Sequence, residues 1–265
     1  MEEDNWEIAQ NKKQEFLVNV IQPLLPNAKY SETFHNGDFN KPSKTFYGML
    51  STNLLLKDSI YDCNNPDSLI HFTSVQSLLK ILENGYFRMS KLNDLDDKSE
   101  MSYASQLLEI NPIFRYEKEL LEKYKTNLYC LSSCENNQDT IKDSFMWETY
   151  GLKGTGVMIE YSISNDNANL FVLGKVKYGK DELEPIQEFV KRAVSFQVQN
   201  ELFPHNAIEL CSIFNSFHKS KRYQNEKELR LIFRKSNWNS GNYPTIYSDV
   251  NRKNQITTFN KIYIQ

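Results

Sequence analysis

Glu226-Lys227-Glu228-Leu229-Arg230-Leu231-Ile232-Phe233 is the stretch on which the fold turns. Side chains on a strand alternate between two faces. The spacing predicts a strand over 226–234, with Leu229, Leu231 and Phe233 in the core. Glu226, Glu228 and Arg230 then share the other face, with alternate residues about 7 Å apart along it. Two carboxylates and a guanidinium on one face can set carboxyl pKa values apart, stabilise a developing cation or orient a hydroxyl. A solvated charged face with an internal salt bridge is the other reading of the same residues.

Around this strand, residues 217–235 hold seven basic side chains (Lys219, Lys221, Arg222, Lys227, Arg230, Arg234, Lys235) against Glu226 and Glu228. Such a stripe suits a pyrophosphate or a nucleic-acid backbone, and equally a solvated basic edge. The whole chain is different: 31 basic and 34 acidic residues leave a net charge of −3, which argues against constitutive nucleic-acid binding. Hydrophobic residues make up 40%, with 16 Phe and 15 Tyr, enough for a packed core. No P-loop and no Gly-x-Gly-x-x-Gly pattern occurs. Four cysteines without a Cys-x-x-Cys pair, an acidic start and no long apolar run predict a reduced, cytoplasmic protein that does not cross a membrane.

Further upstream, Leu69-Ile70-His71-Phe72 reads as a short strand. A helix follows, with Thr73 as N-cap, Gln76 completing a capping box and Gly85 closing it. Its Val75, Leu78, Leu79 and Leu82 fall at core-facing spacing. A strand at 86–90, an acidic turn at 93–97 and helices at 99–110 and 113–125 come next. Strands are predicted at 127–133, 156–163, 169–178, 244–249 and 255–264, with helices at 140–150, 181–203 and 205–218. Helices and strands are interspersed without strict alternation, so the fold class is α+β, with a mixed, largely antiparallel sheet. Residues 1–66 form an N-terminal helical extension on a main domain over 67–265. The extension opens with a helix at 5–25 that carries Trp6, Ile8, Phe16, Val20 and Ile21 on one face and ends at Pro23 and Pro26.

Four other groups bear on chemistry. His71, at a strand end beside a helix N-terminus, is placed to hydrogen-bond a ligand hydroxyl or to sit half-buried. Trp147 and Tyr150, three apart on a helix, form either an aromatic wall for a flat ring or part of the core. Cys130 and Cys134 read as core thiols, since no His or Cys pair completes a zinc set. Asp94, Asp96, Asp97 and Glu100 suit a divalent cation or simple turn chemistry.

These blocks, in order, resemble an uncharacterised bacterial family catalogued as domain of unknown function 2971. They are His71-Phe72-Thr73, Asn93-Asp94 with Asp97, Ser132-Ser133, Met146-Trp147 with Tyr150-Gly151, Gly156-Val157 with Ile159-Glu160-Tyr161, and Glu226-Lys227-Glu228-Leu229-Arg230. The same order of strand His, middle aromatics and late Glu-x-Glu is similar to the ADP-ribosyltransferases, which split an α+β sheet around NAD. That second resemblance implies a cleft in the sheet and NAD as the substrate cofactor, with no metal required. It implies that His71 and Thr73 bind the ribose side, that Trp147 or Tyr150 flanks nicotinamide, and that Arg230 lies in the same cofactor site. Glu228 would hold the ribose 2′-hydroxyl and stabilise an oxocarbenium-like transition state, and Glu226 would activate the acceptor. The expected activity is ADP-ribosyl transfer or NAD hydrolysis by a toxin or phage-defence effector, with a protein or nucleic acid as acceptor and a homo-oligomer left open. A non-catalytic nucleotide- or partner-binding module is the alternative, and a metal-dependent nuclease built on Asp94, Asp97, Glu226 and Glu228 is a third.

Overall fold

In the computed structural model, the residues described are 2–30, 45–46, 50–51, 55–64, 66–85, 87–92, 126–163, 171–200, 203–234 and 257–264. Helix α1 (Glu2–Phe16) runs into a π-helical turn, Leu17–Ile21. Then come β1 (Thr45–Phe46), β2 (Leu69–Thr73), α2 (Val75–Asn84), β3 (Ser90–Lys91) and β4 (Leu128–Glu135). Two short helices follow, α3 (Gln138–Ile141) and α4 (Ser144–Thr149), then β5 (Val157–Ile163), β6 (Phe171–Lys175) and β7 (Lys177–Tyr178). The chain continues through α5 (Glu184–Asn200), β8 (Phe203–Pro204), α6 (His205–Asn215), β9 (His218–Lys219), β10 (Glu228–Arg234) and β11 (Thr257–Ile264).

Seven strands make one sheet in the order β11-β5-β2-β4-β10-β6, with β3 added on β4, and every pairing in it is antiparallel. The fold is therefore α+β with a helical N-terminus. The parallel contacts are two-residue pairs, β1 with β8 and β7 with β9. The predicted turn at 93–97, the helices at 99–110 and 113–125, the strand at 244–249 and the side chain of Trp6 lie outside the described residues.

Several boundaries move for local physical reasons. The cap of α2 is Ser74, not Thr73: Thr73 stays in β2, and Ser74 Oγ accepts the Ser77 amide at 3.0 Å. Gly85 ends α2 at φ 73, as its position predicts. Leu78 is buried and Ile81 packs beside it, whereas Val75, Leu79 and Leu82 face outward, so the buried stripe is narrower than the periodicity suggests. The helix at 140–150 is two helices, because Asn137 and Asp143 each cap a separate N-terminus. On α1, Ile8 is exposed, while Phe16, Val20 and Ile21 are buried.

The sheet is buried on both faces. One face carries Leu69, Leu131, Ile159, Tyr161, Leu229 and Leu231 against Leu78 and Phe87. On the other, Ile232 and Val172 pack with Phe189, Phe214 and Phe217, and Phe16, Val20 and Ile21 join that cluster. A smaller cluster of Ile70, Phe72, Cys134, Met146, Trp147 and Met158 sits nearer β5. Between β2 and β4 the ladder is short: Leu69 pairs with Glu135 and Ile70 with Cys134, and there pairing stops. From His71 onward β2 continues along β5 alone, while β4 continues along β10 and β3. The sheet forks at that point.

Candidate functional site

Glu226 does not lie on the strand. Residues Lys221–Glu226 form a 3₁₀ helix, and Lys227 takes a left-handed backbone at φ 44 before β10 begins at Glu228. The reversal returns Glu226 to the side that Glu228 faces, and both carboxylates are only 4% exposed. The solvated-face reading therefore fails. Lys219, on β9, joins them: its Nζ lies 2.6 Å from Glu226 Oε2 and 2.8 Å from Glu228 Oε2. Arg230 binds Glu228 side-on, with Nε donating to Oε1 at 2.8 Å and a second nitrogen donating to Oε2 at 3.2 Å. The guanidinium also donates to the Ser216 carbonyl at 2.6 Å. The Tyr150 hydroxyl donates to Glu226 Oε1, and the Glu228 amide donates to the Tyr178 hydroxyl at 2.8 Å.

Buried charges persist only when paired and hydrogen-bonded, and here two cations meet two carboxylates. Burial by itself would raise the Glu228 carboxyl. Arg230 first and Lys219 second outweigh it and hold the group down at about 2. Burial likewise works against the Lys219 ammonium, yet Glu228 and Glu226 keep its pKa raised. Both groups thus stay charged at neutral pH.

These side chains border a cavity of about 300 Å³ at the fork of the sheet. Ile70, His71 and Phe72 line it from β2, Ser132, Ser133 and Cys134 from β4, and Met146 and Tyr150 from α4 and its end. Lys219, Tyr223, Glu226, Glu228 and Arg230 complete the wall. By alternation His71 belongs with Leu69, on the face away from Glu228. It reaches the same cavity because the ladder has stopped: its Nδ1 donates to the Ser132 carbonyl at 2.9 Å, across the gap where β2 and β4 no longer pair. That bond fixes the tautomer and leaves Nε2 as the acceptor of a neutral ring. Burial lowers the imidazole pKa, with the Ser132 bond opposing it in part.

Of the residues expected at the site, His71, Tyr150, Glu226, Glu228 and Arg230 meet at this cavity. Trp147 does not share a wall with Tyr150. Its ring packs edge-on against Phe72, its Nε1 donates to the Ile141 carbonyl at 2.8 Å, and it belongs to the core. Tyr150 is the C-cap of α4, its amide still donating to the Met146 carbonyl, and it is 41% exposed. Thr73 is absent from the cavity wall and is paired with Val157. Gly156 lets the turn after Tyr150 close against β2, since a Cβ there would meet the Thr73 carbonyl at 2.5 Å.

The basic stripe divides. Lys219 and Arg230 turn inward to the carboxylates, while Lys221, Arg222 and Lys227 are exposed. Arg222 stacks on the Tyr223 ring, 4.6 Å from its centroid. Cys130 and Cys134 are buried thiols, as expected, and burial pushes them up to about 11 and about 12, the wrong direction for nucleophiles. The acidic residues at 94, 96, 97 and 100 lie outside the described residues. Among the described residues no group of three or more His, Cys, Asp or Glu is placed to hold a metal ion, and no helix is long and apolar enough to cross a membrane.

With the geometry in view, a comparison with family models bears on the middle and late blocks. Residues 146–231 match the family model described as Protein of unknown function (DUF2971). The DUF2971 match runs from Met146 to Leu231, so it takes in Tyr150, Lys219, Glu226, Glu228 and Arg230, while His71 precedes it. No curated protein and no solved structure matches the chain.

Proposed function

We propose that the chain is an NAD-consuming enzyme, an ADP-ribosyltransferase or NAD glycohydrolase, working in the cavity at the fork. The observation that carries this reading is the meeting of Glu228, Glu226, Tyr150 and His71 around one cavity, with Glu228 held ionised. Breaking the bond between ribose C1′ and the nicotinamide nitrogen sends the bonding pair to the ring, which leaves neutral, and puts positive charge on the ribose. A fixed, desolvated carboxylate stabilises that charge. In this reading Glu228 faces the ribose and holds its 2′-hydroxyl. Glu226, whose Oε1 meets the neutral Tyr150 hydroxyl, takes the proton of the attacking water or acceptor nucleophile as it bonds to C1′. The partly exposed Tyr150 ring flanks nicotinamide, and His71 Nε2 accepts a ribose hydroxyl. The acceptor is a protein or nucleic acid, and the setting a toxin or phage-defence effector.

One feature favours a second reading, a nucleotide-binding module without turnover. Every oxygen of the two carboxylates already has a donor, and the four charges cancel. Nicotinamide release separates the two. The full chain is incubated with NAD, alone and with lysate, protein, DNA or RNA. The transferase reading expects release that falls at least about 10²-fold in Glu228→Gln, with the circular dichroism spectrum unchanged. No release under any of these conditions overturns it in favour of the binding module.

A further inference from the structure

We propose that Lys219 is a positioning residue: one ammonium shared by Glu226 and Glu228 holds the two carboxylates side by side as a single unit. The inference deepens the enzymatic reading of this cavity and rests on it. The two glutamates come from different elements, the end of a 3₁₀ helix and the start of β10, with a left-handed residue between them. Nothing in the backbone alone fixes their carboxylates relative to one another. The fixed point is Nζ of Lys219, 2.6 Å from one and 2.8 Å from the other and itself 7% exposed. Lys219 is anchored in turn: β9 pairs with β7, and the Gly179 amide donates to the Lys219 carbonyl at 2.9 Å.

Among the described residues, the other groups around the pair are a guanidinium bound to Glu228 and side chains without charge. Arg230 approaches Glu228 from β10 through Nε and a second nitrogen, and its guanidinium also donates to the Ser216 carbonyl. Tyr150 and Tyr178 offer neutral hydroxyls, the Cys134 thiol is neutral, and His71 is kept neutral by burial. Without Lys219, two carboxylates would face each other in a desolvated cavity. One would then take up a proton or swing away.

The consequence is specific. In the intact protein one ammonium bonds both carboxylates at once, which the proposed division of labour requires: one to face the ribose, one to receive the acceptor's proton. Loss of Lys219 converts the pair into a dyad that shares a proton, so turnover falls most where that proton is bound and recovers as the pH rises.

The test uses the full chain, as wild type, Lys219→Met and Lys219→Arg, with two readouts. The first is nicotinamide release from NAD between pH 5 and 9. The expectation for Lys219→Met is a fall in kcat of about 10²-fold at neutral pH, KM within about threefold of wild type, and recovery on the alkaline side. Lys219→Arg should restore kcat to within about tenfold. A loss that is flat with pH and not rescued by arginine would mark Lys219 as merely structural and overturn the proposal. The second readout needs no turnover: ¹³C NMR of the glutamate carboxyl groups. Lys219→Met should bind an additional carboxyl proton near neutral pH that the wild type does not bind. A carboxyl titration unchanged by Lys219→Met overturns the proposal, whatever the activity. Wild-type protein that releases no nicotinamide overturns the enzymatic reading, while the NMR result still decides whether Lys219 holds the pair.

Discussion

Strand β10 has two buried faces of opposite chemistry. Leu229 and Leu231 point into a cluster with Leu131, Tyr161 and Phe171. Glu228 and Arg230, alternating with them in sequence, point the other way and are 4% and 1% exposed. The first face is stabilised by removing apolar surface from water, which has no direction and tolerates a change of partner. The second is tolerated only because each charge meets a counter-charge at hydrogen-bond distance, and it fails if one member is withdrawn. The same alternation that folds the strand thus separates a robust face from a brittle one, and the cavity opens on the brittle side.

The largest expected effect is on that side. Arg230→Met leaves Glu228 buried with Lys219 alone and strips the Ser216 carbonyl of its donor, so we expect a loss of about 3–5 kcal/mol in denaturant unfolding. Leu231→Ala, one residue along, is expected to cost about 2–4 kcal/mol through cavity formation. The two differ in what a second change does. Adding Glu228→Gln to Arg230→Met should recover part of the loss, because it removes the stranded charge. A loss below about 1 kcal/mol for Arg230→Met would break the comparison, since the charged face would then be no more brittle than a surface pair.

Acid resolves the second contrast. The Glu228 carboxyl is held at about 2, below its ordinary 4.5. A depressed carboxyl contributes stability that is present above 4.5 and is lost as the pH falls toward 2. His218 sits elsewhere, its Nε2 3.0 Å from the Tyr61 hydroxyl inside the apolar core. Burial lowers it to about 4 from 6.5, with Lys177 adding to the shift. The unfolded chain takes up its proton first, so this contribution is lost between pH 6.5 and 4. Each limb spans 2.5 pH units and is expected to be about 3–3.5 kcal/mol at roughly 1.4 kcal/mol per unit. Unfolding free energy measured from pH 7 to 2 should fall in two stages. Glu228→Gln should flatten the lower stage and His218→Gln the upper one. A single stage removed by Glu228→Gln would show that the apolar region contributes no proton linkage.

How much of this was legible in the sequence follows from what each signal encodes. The alternation of Leu229, Leu231 and Phe233 against Glu228 and Arg230 gave the strand and its faces, because period two is local. Burial of the charged face was not legible, since it depends on Lys219 arriving from another strand and on the Ser216 carbonyl just past the end of α6. Lys219 was visible only as one of seven basic residues, and Tyr178 carried no signal, since its role is to accept a backbone amide 50 residues away. The placement of Glu226 was missed because nothing in Glu226-Lys227-Glu228 announces a left-handed lysine. The sequence leaves Trp147 open between an aromatic wall and the core, because i, i+3 spacing does not say what a residue packs against; the Phe72 ring places it in the core. The meeting of His71 with Glu228 depended on the fork between β2 and β4. A register that stops after two pairs leaves no mark in either strand alone.

The smallest effect sharpens the comparison most. The apolar face contains one neutral polar pair, the Ser133 hydroxyl 2.5 Å from the Tyr161 hydroxyl, both buried. Ser133 is the register partner of Leu229, so this pair and the Glu228–Arg230 pair flank the same backbone. Ser133→Ala leaves the Tyr161 hydroxyl without that partner in an apolar surround and should cost about 1–2 kcal/mol. Tyr161→Phe should cost a similar amount by stranding the serine. The double variant Ser133→Ala/Tyr161→Phe should lie within about 1 kcal/mol of wild type, because both hydroxyls leave together. The corresponding double change on the charged face cannot recover so fully. The Ser216 carbonyl and the Lys219 ammonium remain there with a lost partner. The measurement is the coupling energy of each pair from a double-mutant cycle. Near-complete recovery on the Ser133 side with partial recovery on the Arg230 side is the expected outcome. Equal recovery on both would mean that Glu228 and Arg230 act as an isolated pair, and the four-residue network would have no energetic reality.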